Sequence, residues 1–263
     1  MTATSFLAQI EWSQPWLLPF REIAALIVQA DDWRHAIDAA AKARDLRNHR
    51  GLPLRFVSQS ELPVGIAYET FISETACIPT RDNLHDFFNA LIWLAYPQTK
   101  ARLNALQATA IAEAGTTAVR GRLRDALTIF DENAAIFMHA NEKSVSALGN
   151  RQWLTLFIEE RPGFGKEWTV QLFGHALLEK LVQPYKAITA HAWPVCLEQT
   201  DHGEEKLLPK LSDLDRVLAT TLSSDISTRS FMPLPVLGVP GWCAQQDLAF
   251  YQDETVFRRV RNK

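Results

Sequence analysis

Apolar positions recur every three to four residues over much of this chain, which is the period of a helix with one buried face. On this pattern we predict helices over residues 18–30, 31–46, 67–76, 82–96, 97–114, 142–149, 166–182 and 212–223. Shorter apolar runs predict strands over 54–57, 154–159 and 186–197, and one strand on each side of the polar turn 131–133 within 127–138. This mixture indicates an α/β or α+β fold, with several helices around a small sheet.

Two helix starts in this pattern carry recognisable signals. Thr80 or Asp82 can accept hydrogen bonds from the first amides of the helix 82–96. Pro97 suits the first turn of the next helix, because the amide hydrogen that it lacks has no partner there.

The chain from residue 231 onward follows a different pattern. An apolar run ending at Trp242 is interrupted by Pro233, Pro235, Gly238, Pro240 and Gly241. Prolines at this density exclude a helix or a central strand. We therefore expect residues 231–263 to form an extended arm packed on the core. Because no linker-like stretch divides the chain, we expect one globular domain over residues 1–263.

Composition and charge narrow the class of protein. Hydrophobic residues make up 47% of the 263 positions and include 14 Phe and 8 Trp, so we expect an aromatic-rich core. The formal net charge of −3 does not favour nucleic acid as a partner, whereas a protein partner stays open. The chain shows no secretory signal and no apolar stretch of about 18 residues. With three scattered cysteines interpreted as buried thiols, we predict a cytoplasmic protein with no membrane contact.

The predicted helix 82–96 carries polar residues although it is apolar almost all round, which is typical of a buried helix. His85 and Asn89, four positions apart, share one face. They form either a structural hydrogen-bond cluster or part of a site. In the functional interpretation His85 and Asp86 are catalytic. The substrate-binding residues would then be Asn89, Trp93 and Tyr96.

The polar turn 131–133 also has two interpretations. Asp and Asn are common in a plain hairpin turn. Alternatively, Asp131 and Glu132 form a carboxylate pair at the mouth of a sheet, where they bind a divalent cation or act as acid and base.

Two further histidines follow in the second half of the chain. In the predicted helix 166–182, His175 and Glu179 stand four residues apart, a spacing that suits either one shared metal ion or a solvated polar stripe. His191 lies on the next predicted strand, where it is either a hydrogen-bonded core residue or a ligand.

Taken together, these residue types suit a mixed His/carboxylate metal centre. Our first hypothesis is a metal-assisted hydrolase that uses Zn, Mn or Mg to activate water. The predicted metal ligands are Asp131, His175 and His191, and the predicted catalytic groups are His85, Asp86, Glu132 and Glu179. His85 could act either as a further metal ligand or as a general base.

Two other classes remain open. One is metal-free acid/base or binding chemistry in a pocket lined by His85, Trp93, Tyr96 and His191. The other is a noncatalytic interaction protein whose partner contacts an exposed apolar patch such as 231–242. Dinucleotide-binding, phosphate-loop and nucleophile-elbow motifs do not occur in the sequence.

Several long segments resemble a family of proteobacterial proteins. They are RGLPLRFV (50–57), PTRDNLHDFFNALIWLAYPQTKARLNALQ (79–107), RDALTIFDEN (124–133), LFGHALLEKLVQPYKAITAH (172–191), LPVLGVPGW (234–242) and FYQDETVFR (250–258). On these residues the chain resembles domain of unknown function 3025 over about residues 20–258. The resemblance implies a bacterial cytoplasmic protein and carries over no activity and no catalytic residues.

Overall fold

The computed structural model describes residues 6–114, 121–196 and 209–260, and these residues form a mixture of helices and short strands. The prediction of a mixed α/β fold is thus confirmed. The chain divides into two compact units, and the division falls between Asp131 and Glu132. The first unit also includes residues 209–228, and the second includes residues 14–16 and the chain from 229 onward. A single domain over 1–263 stays a prediction, and each unit is described by itself.

The first unit is mainly helical. Its helices are α1 (Arg21–Val28), α2 (Trp33–Ala43), α3 (Tyr68–Thr75), α4 (Leu84–Ala95), α5 (Pro97–Ala114), most of α6 (Arg122–Asn133) and, later in the chain, α9 (Leu211–Thr221). Its two strands, β1 (Arg55–Ser58) and β2 (Cys77–Thr80), pair in parallel. The expected helices at 18–30, 31–46, 67–76, 97–114 and 212–223 are therefore present.

Helix α4 lies in the core of the first unit, and all of its residues from Asp86 to Ala95 are buried. Its N-cap is Asn83, whose side chain accepts a 2.7 Å hydrogen bond from the amide of Asp86. The prediction that Thr80 or Asp82 caps this helix was wrong, because both side chains bond other groups. Thr80 bonds the carbonyl of Ile78 within β2, and Asp82 accepts from Trp33.

Helix α5 begins at Pro97 as predicted, and a carboxylate from α9 caps it. Asp215, which is 2% exposed, accepts from the amides of Gln98 and Thr99 at 3.0 and 2.8 Å and from the Thr99 hydroxyl at 2.7 Å. Burial raises the pKa of Asp215, and these hydrogen bonds oppose that rise. The first turn of α5 therefore depends on a residue more than a hundred positions later in the sequence.

The second unit is built on a four-stranded sheet in the order β4-β3-β5-β6. Its strands and helices are β3 (Ala134–His139), α7 (Glu142–Gly149), β4 (Trp168–Leu172), α8 (His175–Lys180), β5 (Thr189–Cys196), β6 (Met232–Pro235) and α10 (Leu248–Tyr251). Strand β3 pairs antiparallel with β4 and parallel with β5, and β5 pairs antiparallel with β6. Every residue of β3 is buried, as expected for a central strand.

The predicted hairpin over 127–138 is wrong. The segment 131–133 is the last turn of helix α6, and only the second run forms a strand, β3. The reason lies in the spacing of the buried residues Ala126, Leu127 and Phe130, which fits a helix when the chain is read from Arg122. Asp131 and Glu132 therefore lie at the end of a helix that leads directly into the sheet.

Two other expected elements are also different. The run 154–159 is not a strand but forms a π-helical turn over Thr155–Glu159, closed by the bond from the Glu160 amide to the Thr155 carbonyl. The expected helix 166–182 is replaced by strand β4 and the short helix α8, separated by Gly174. His175 and Glu179 remain four residues apart on one helix, at its start and near its end.

The C-terminal segment contains an edge strand, β6, followed by buried residues. Pro233 and Pro235 sit in this edge strand, where a missing amide hydrogen removes no ladder bond to a further strand. Every residue from 234 to 240 is buried, and Trp242 is 8% exposed. The hypothesis of an exposed apolar patch at 231–242 is therefore wrong, because these side chains pack within the second unit.

Among the residues that the structure describes, no helix combines the length and apolar character needed to cross a bilayer. The expectation of buried thiols is wrong: Cys196 is exposed, and Cys77 and Cys243 are partly exposed.

Candidate functional site

The start of helix α8 lies against the start of strand β3 in the second unit. A Cβ atom on Gly174 would fall 2.5 Å from the backbone nitrogen of Asn133 and 2.6 Å from the carbonyl oxygen of Glu132. The amides of Phe173 and Gly174 both donate to the carbonyl of Ala134, at 3.1 and 2.9 Å. Only glycine permits this approach, which brings the next residue, His175, beside the end of α6.

His175 faces the carboxylate of Glu132. Its Nε2 lies 3.4 Å from Glu132 Oε2, which is longer than the usual 2.7–3.2 Å of an N–H···O hydrogen bond. The His175 side chain is 5% exposed, whereas that of Glu132 is 37% exposed. The pair therefore has a fixed, buried imidazole on one side and a carboxylate open to solvent on the other.

The 3.4 Å separation has a geometric meaning for metal binding. Two ligand atoms that each lie ~2.1 Å from one metal ion at the tetrahedral angle are ~3.4 Å apart. The Nε2 and Oε2 atoms thus match one edge of a tetrahedral coordination sphere without any movement. An imidazole and a carboxylate are also ligands that zinc and manganese accept.

His191 lies on β5 opposite Ala134 and is bonded to the residue after Glu132. Its Nδ1 is 2.8 Å from Asn133 Nδ2, which also donates to the carbonyl of Thr189 at 3.2 Å. Since the Asn133 amide donates to both, Nδ1 of His191 is the acceptor and the ring proton sits on Nε2. Burial, assisted by Lys180, lowers the pKa of His191, so the ring is neutral at pH 7.

Glu179 and His191 are the other predicted site residues of the second unit. Glu179 lies one turn after His175 on α8 and is partly buried. Within the described part of this unit, His191 does not join Glu132 and His175 at the 4.8 Å spacing that a shared metal ion requires. The structure therefore brings together two of the predicted residues, Glu132 and His175, and places His191 in contact with Asn133, the residue after Glu132.

The predicted metal ligand Asp131 belongs to the first unit, where it is paired with a buried lysine. Lys100 Nζ lies 2.5 Å from Asp131 Oδ1 and 2.8 Å from Asn89 Oδ1. The amide of Asn89 in turn donates to the Tyr68 hydroxyl at 2.9 Å. Burial raises the pKa of Tyr68, and the carboxylates of Asp86 and Asp131 raise it further, so the phenol stays protonated.

The other residues predicted on α4 are in contact with the protein interior. Asp86 binds Arg81 through both carboxylate oxygens, at 3.0 Å each, and also accepts the Arg81 amide at 2.6 Å. Trp93 and Tyr96 are 1% and 0% exposed. His85 is partly buried in the first turn of α4. Their catalytic and substrate-binding roles stay predictions.

Sequence reasoning missed several polar residues that organise these regions. Lys100 lies on α5, where the sequence analysis assigned no functional residue. Its signal was a lysine at helical spacing from Leu103 and Asn104, on the face of α5 that is buried. Asn133 was interpreted as a turn residue, and Gly174 as part of a helix, although an isolated glycine in a helical pattern often marks a close backbone approach.

Comparison with known proteins identifies the family. A family model described as "Protein of unknown function (DUF3025)" matches residues 54–261, which is well over half of the chain. Neither a curated protein nor a solved structure gives a significant match. The matched range includes both strands of the first unit, the whole sheet of the second unit and the Glu132–His175 pair, and the chain therefore belongs to the DUF3025 family.

Proposed function

We propose that this protein is a metal-assisted hydrolase whose metal ion binds at the start of β3 in the second unit. The observation that carries the proposal is the 3.4 Å separation between His175 Nε2 and Glu132 Oε2, the spacing of two ligands on one ion. The exposed face of Glu132 leaves open coordination positions for water and substrate. Zn, Mn and Mg are the candidates, and the mixed nitrogen and oxygen donors favour Zn or Mn.

The hydrolytic role follows from the chemistry of such an ion. A divalent metal lowers the pKa of bound water toward neutrality and polarises the bond under attack in an ester, amide or phosphoester. Glu132 serves as ligand, and Glu179, one turn after His175, is the nearest predicted acid or base on the same helix.

We assign His191 a different task from the one that its sequence position predicted. Because its Nδ1 accepts from Asn133, its Nε2–H is a hydrogen-bond donor and not a metal ligand. A neutral Nε2–H group suits the stabilisation of developing negative charge on a substrate oxygen. The predicted roles of His85, Asp86 and Asp131 in this chemistry remain hypotheses from the sequence.

The first experiment measures metal binding directly. Purified full-length chain is analysed for bound metal, stripped with chelator and titrated with Zn²⁺, Mn²⁺ or Mg²⁺ while thermal unfolding is followed. At metal concentrations near 100 times Kd, the melting temperature should rise by roughly 5–10 °C. H175A and E132Q should abolish this rise, and hydrolysis of a panel of ester and phosphoester substrates should stop with chelator.

Matched controls are available on exposed positions of the same chain. H35A and E142Q alter a histidine and a glutamate on the surfaces of α2 and α7, and they should bind metal as the wild type does. H85A, measured in the same way, tests the sequence prediction for that residue. Wild-type protein with no bound metal and no thermal shift with any of the three ions would overturn the proposal.

A further inference from the structure

The first unit contains a serine and a histidine in the arrangement of a nucleophile and its general base. His49 Nε2 lies 2.8 Å from Ser73 Oγ, within the 2.6–3.2 Å range for direct proton transfer. Ser73 lies on α3 and is 5% exposed, whereas His49 lies on the loop between α2 and β1 and is exposed as a residue, with its contact to Ser73 partly buried. Neither residue belongs to the proposed metal site.

The loop that carries His49 is held rigidly against α3. The Asn48 side chain donates to the carbonyl of Ser73 at 3.0 Å and accepts the amides of Arg50 and Leu52 at 2.9 and 3.1 Å. Asn48 is buried, so these bonds are protected from water. They hold the backbone on both sides of His49 against the end of α3, which carries the Ser73 hydroxyl.

The pair opens into a cavity of about 300 Å³. Its polar lining comes from His49, Arg50, Thr70, Ser73, Glu74 and Thr109. The opposite wall is formed by small and apolar side chains of α5: Ala105, Ala108, Ile111 and Ala112. This volume lies at the lower limit of ligand cavities, so it suits a short acyl chain and excludes a long one.

The electrostatics of the cavity agree with general-base chemistry. Burial of the ring and, second, the charge of Arg50 lower the pKa of His49, so the imidazole is neutral and able to accept a proton at pH 7. Arg50 lines the same cavity, and its positive charge is the one that the lining offers to a developing oxyanion.

We propose that Ser73 and His49 form an esterase site for short-chain carboxylic esters. Ser73 Oγ attacks the ester carbonyl carbon while its proton passes to His49 Nε2. The bond between the carbonyl carbon and the alkoxy oxygen then breaks, and the leaving alcohol takes that proton. Water attacks the acyl-serine, His49 accepts a proton from it, and the carboxylic acid leaves as Ser73 Oγ regains the proton. The net reaction is ester plus water to acid plus alcohol.

The test uses the full chain with chelator present throughout, so that failure of the metal proposal does not affect its outcome. Wild-type protein is treated with a fluorophosphonate probe, and the labelled residue is located by mass spectrometry. Hydrolysis of p-nitrophenyl acetate, butyrate and octanoate is measured in parallel. We expect label on Ser73 and faster turnover of acetate and butyrate than of octanoate. S73A and H49Q should each lower the acetate rate by at least about 100-fold.

The controls are S60A and H35A, which change an exposed serine and an exposed histidine and should leave labelling and rate unchanged. Thermal unfolding of S73A and H49Q reports whether these variants fold. If either variant does not fold, the labelling of Ser73 in the wild type still tests the proposal. Absence of label on Ser73, or a folded S73A with the wild-type rate, would overturn the proposal.

Discussion

Two carboxylates on consecutive residues of helix α6, Asp131 and Glu132, have partners that differ in almost every physical respect. Asp131, in the first unit, is bound to Lys100 at 2.5 Å, and the two side chains are 17% and 4% exposed. Glu132, in the second unit, faces His175 at 3.4 Å and is 37% exposed. The first pair is largely buried and also bonded to Asn89, whereas the second has a longer separation and a carboxylate open to solvent.

This difference shows why residue type alone does not identify a site. A buried charge needs partners, and Asp131 with Asn89 supplies them for Lys100 without any bound ligand. The contact of His175 with Glu132 is longer than a usual hydrogen bond, and the Glu132 carboxylate keeps its access to solvent. Three substitutions sharpen this contrast.

The largest effect is expected for Lys100→Met. It leaves the Asp131 carboxylate without its ammonium partner, and breaking a buried pair on one side costs about 3–5 kcal/mol. The free energy of unfolding in urea should fall by an amount in that range. Lys143→Met is the control, because the Lys143 side chain is 64% exposed and its pair with Glu160 contributes under ~1 kcal/mol. Equal losses in the two variants would contradict the claim that burial makes the Lys100–Asp131 pair costly to break.

An intermediate effect is expected for Gly174→Ala. The new Cβ atom overlaps backbone atoms of Glu132 and Asn133, so α8 must shift, at a cost of about 1–3 kcal/mol. The metal-induced rise in melting temperature should disappear with the shift of His175. Gly121→Ala, where the added atom meets open space, should change stability by less than about 0.5 kcal/mol and keep the rise. If Gly174→Ala kept the full metal-induced rise in melting temperature, the close approach of Gly174 to Glu132 and Asn133 would not be what positions His175.

The smallest effect is expected for Asn133→Ala, which removes the donor to His191 Nδ1. The loss of this hydrogen bond, together with the exposed bond to the Thr189 carbonyl, should cost about 1–2 kcal/mol in urea unfolding. Nitrogen-15 chemical shifts of His191 should report the Nε2–H tautomer in wild type and a mixture of tautomers in the variant. An Nδ1–H ring in the wild type would favour the ligand role for His191 that the sequence predicted.

Much of the first unit followed from local patterns because its helices carry their own signals. Pro97 starts α5, and the apolar face of α4 identified it as a buried helix. The cap of α4 was misplaced because the side chain of Asp82 is used by Trp33, 49 positions earlier. Such long-range competition for a polar group leaves no trace in the local sequence.

The second unit was harder to predict for a physical reason. Central strand β3 is buried on both faces, so it shows no alternation, and it begins directly after the polar triplet 131–133 that ends α6. The periods of helix and strand were therefore confused at 127–138 and again at 166–182. Of the candidate site, sequence reasoning supplied Glu132, His175 and His191, but not the contacts through Gly174 and Asn133, which depend on how β3 and α8 pack.

The cap of α5 by Asp215 has a consequence for protein synthesis. The ribosome makes α5 early, but the carboxylate that accepts the amides of Gln98 and Thr99 emerges only after β3, β4 and β5 have been translated. A nascent chain that ends at residue 131 lacks both this cap and α9, so the first unit cannot be completed in the N-to-C order in which domains usually fold during translation. Strands of the second unit thus emerge before the first unit has all of its chain.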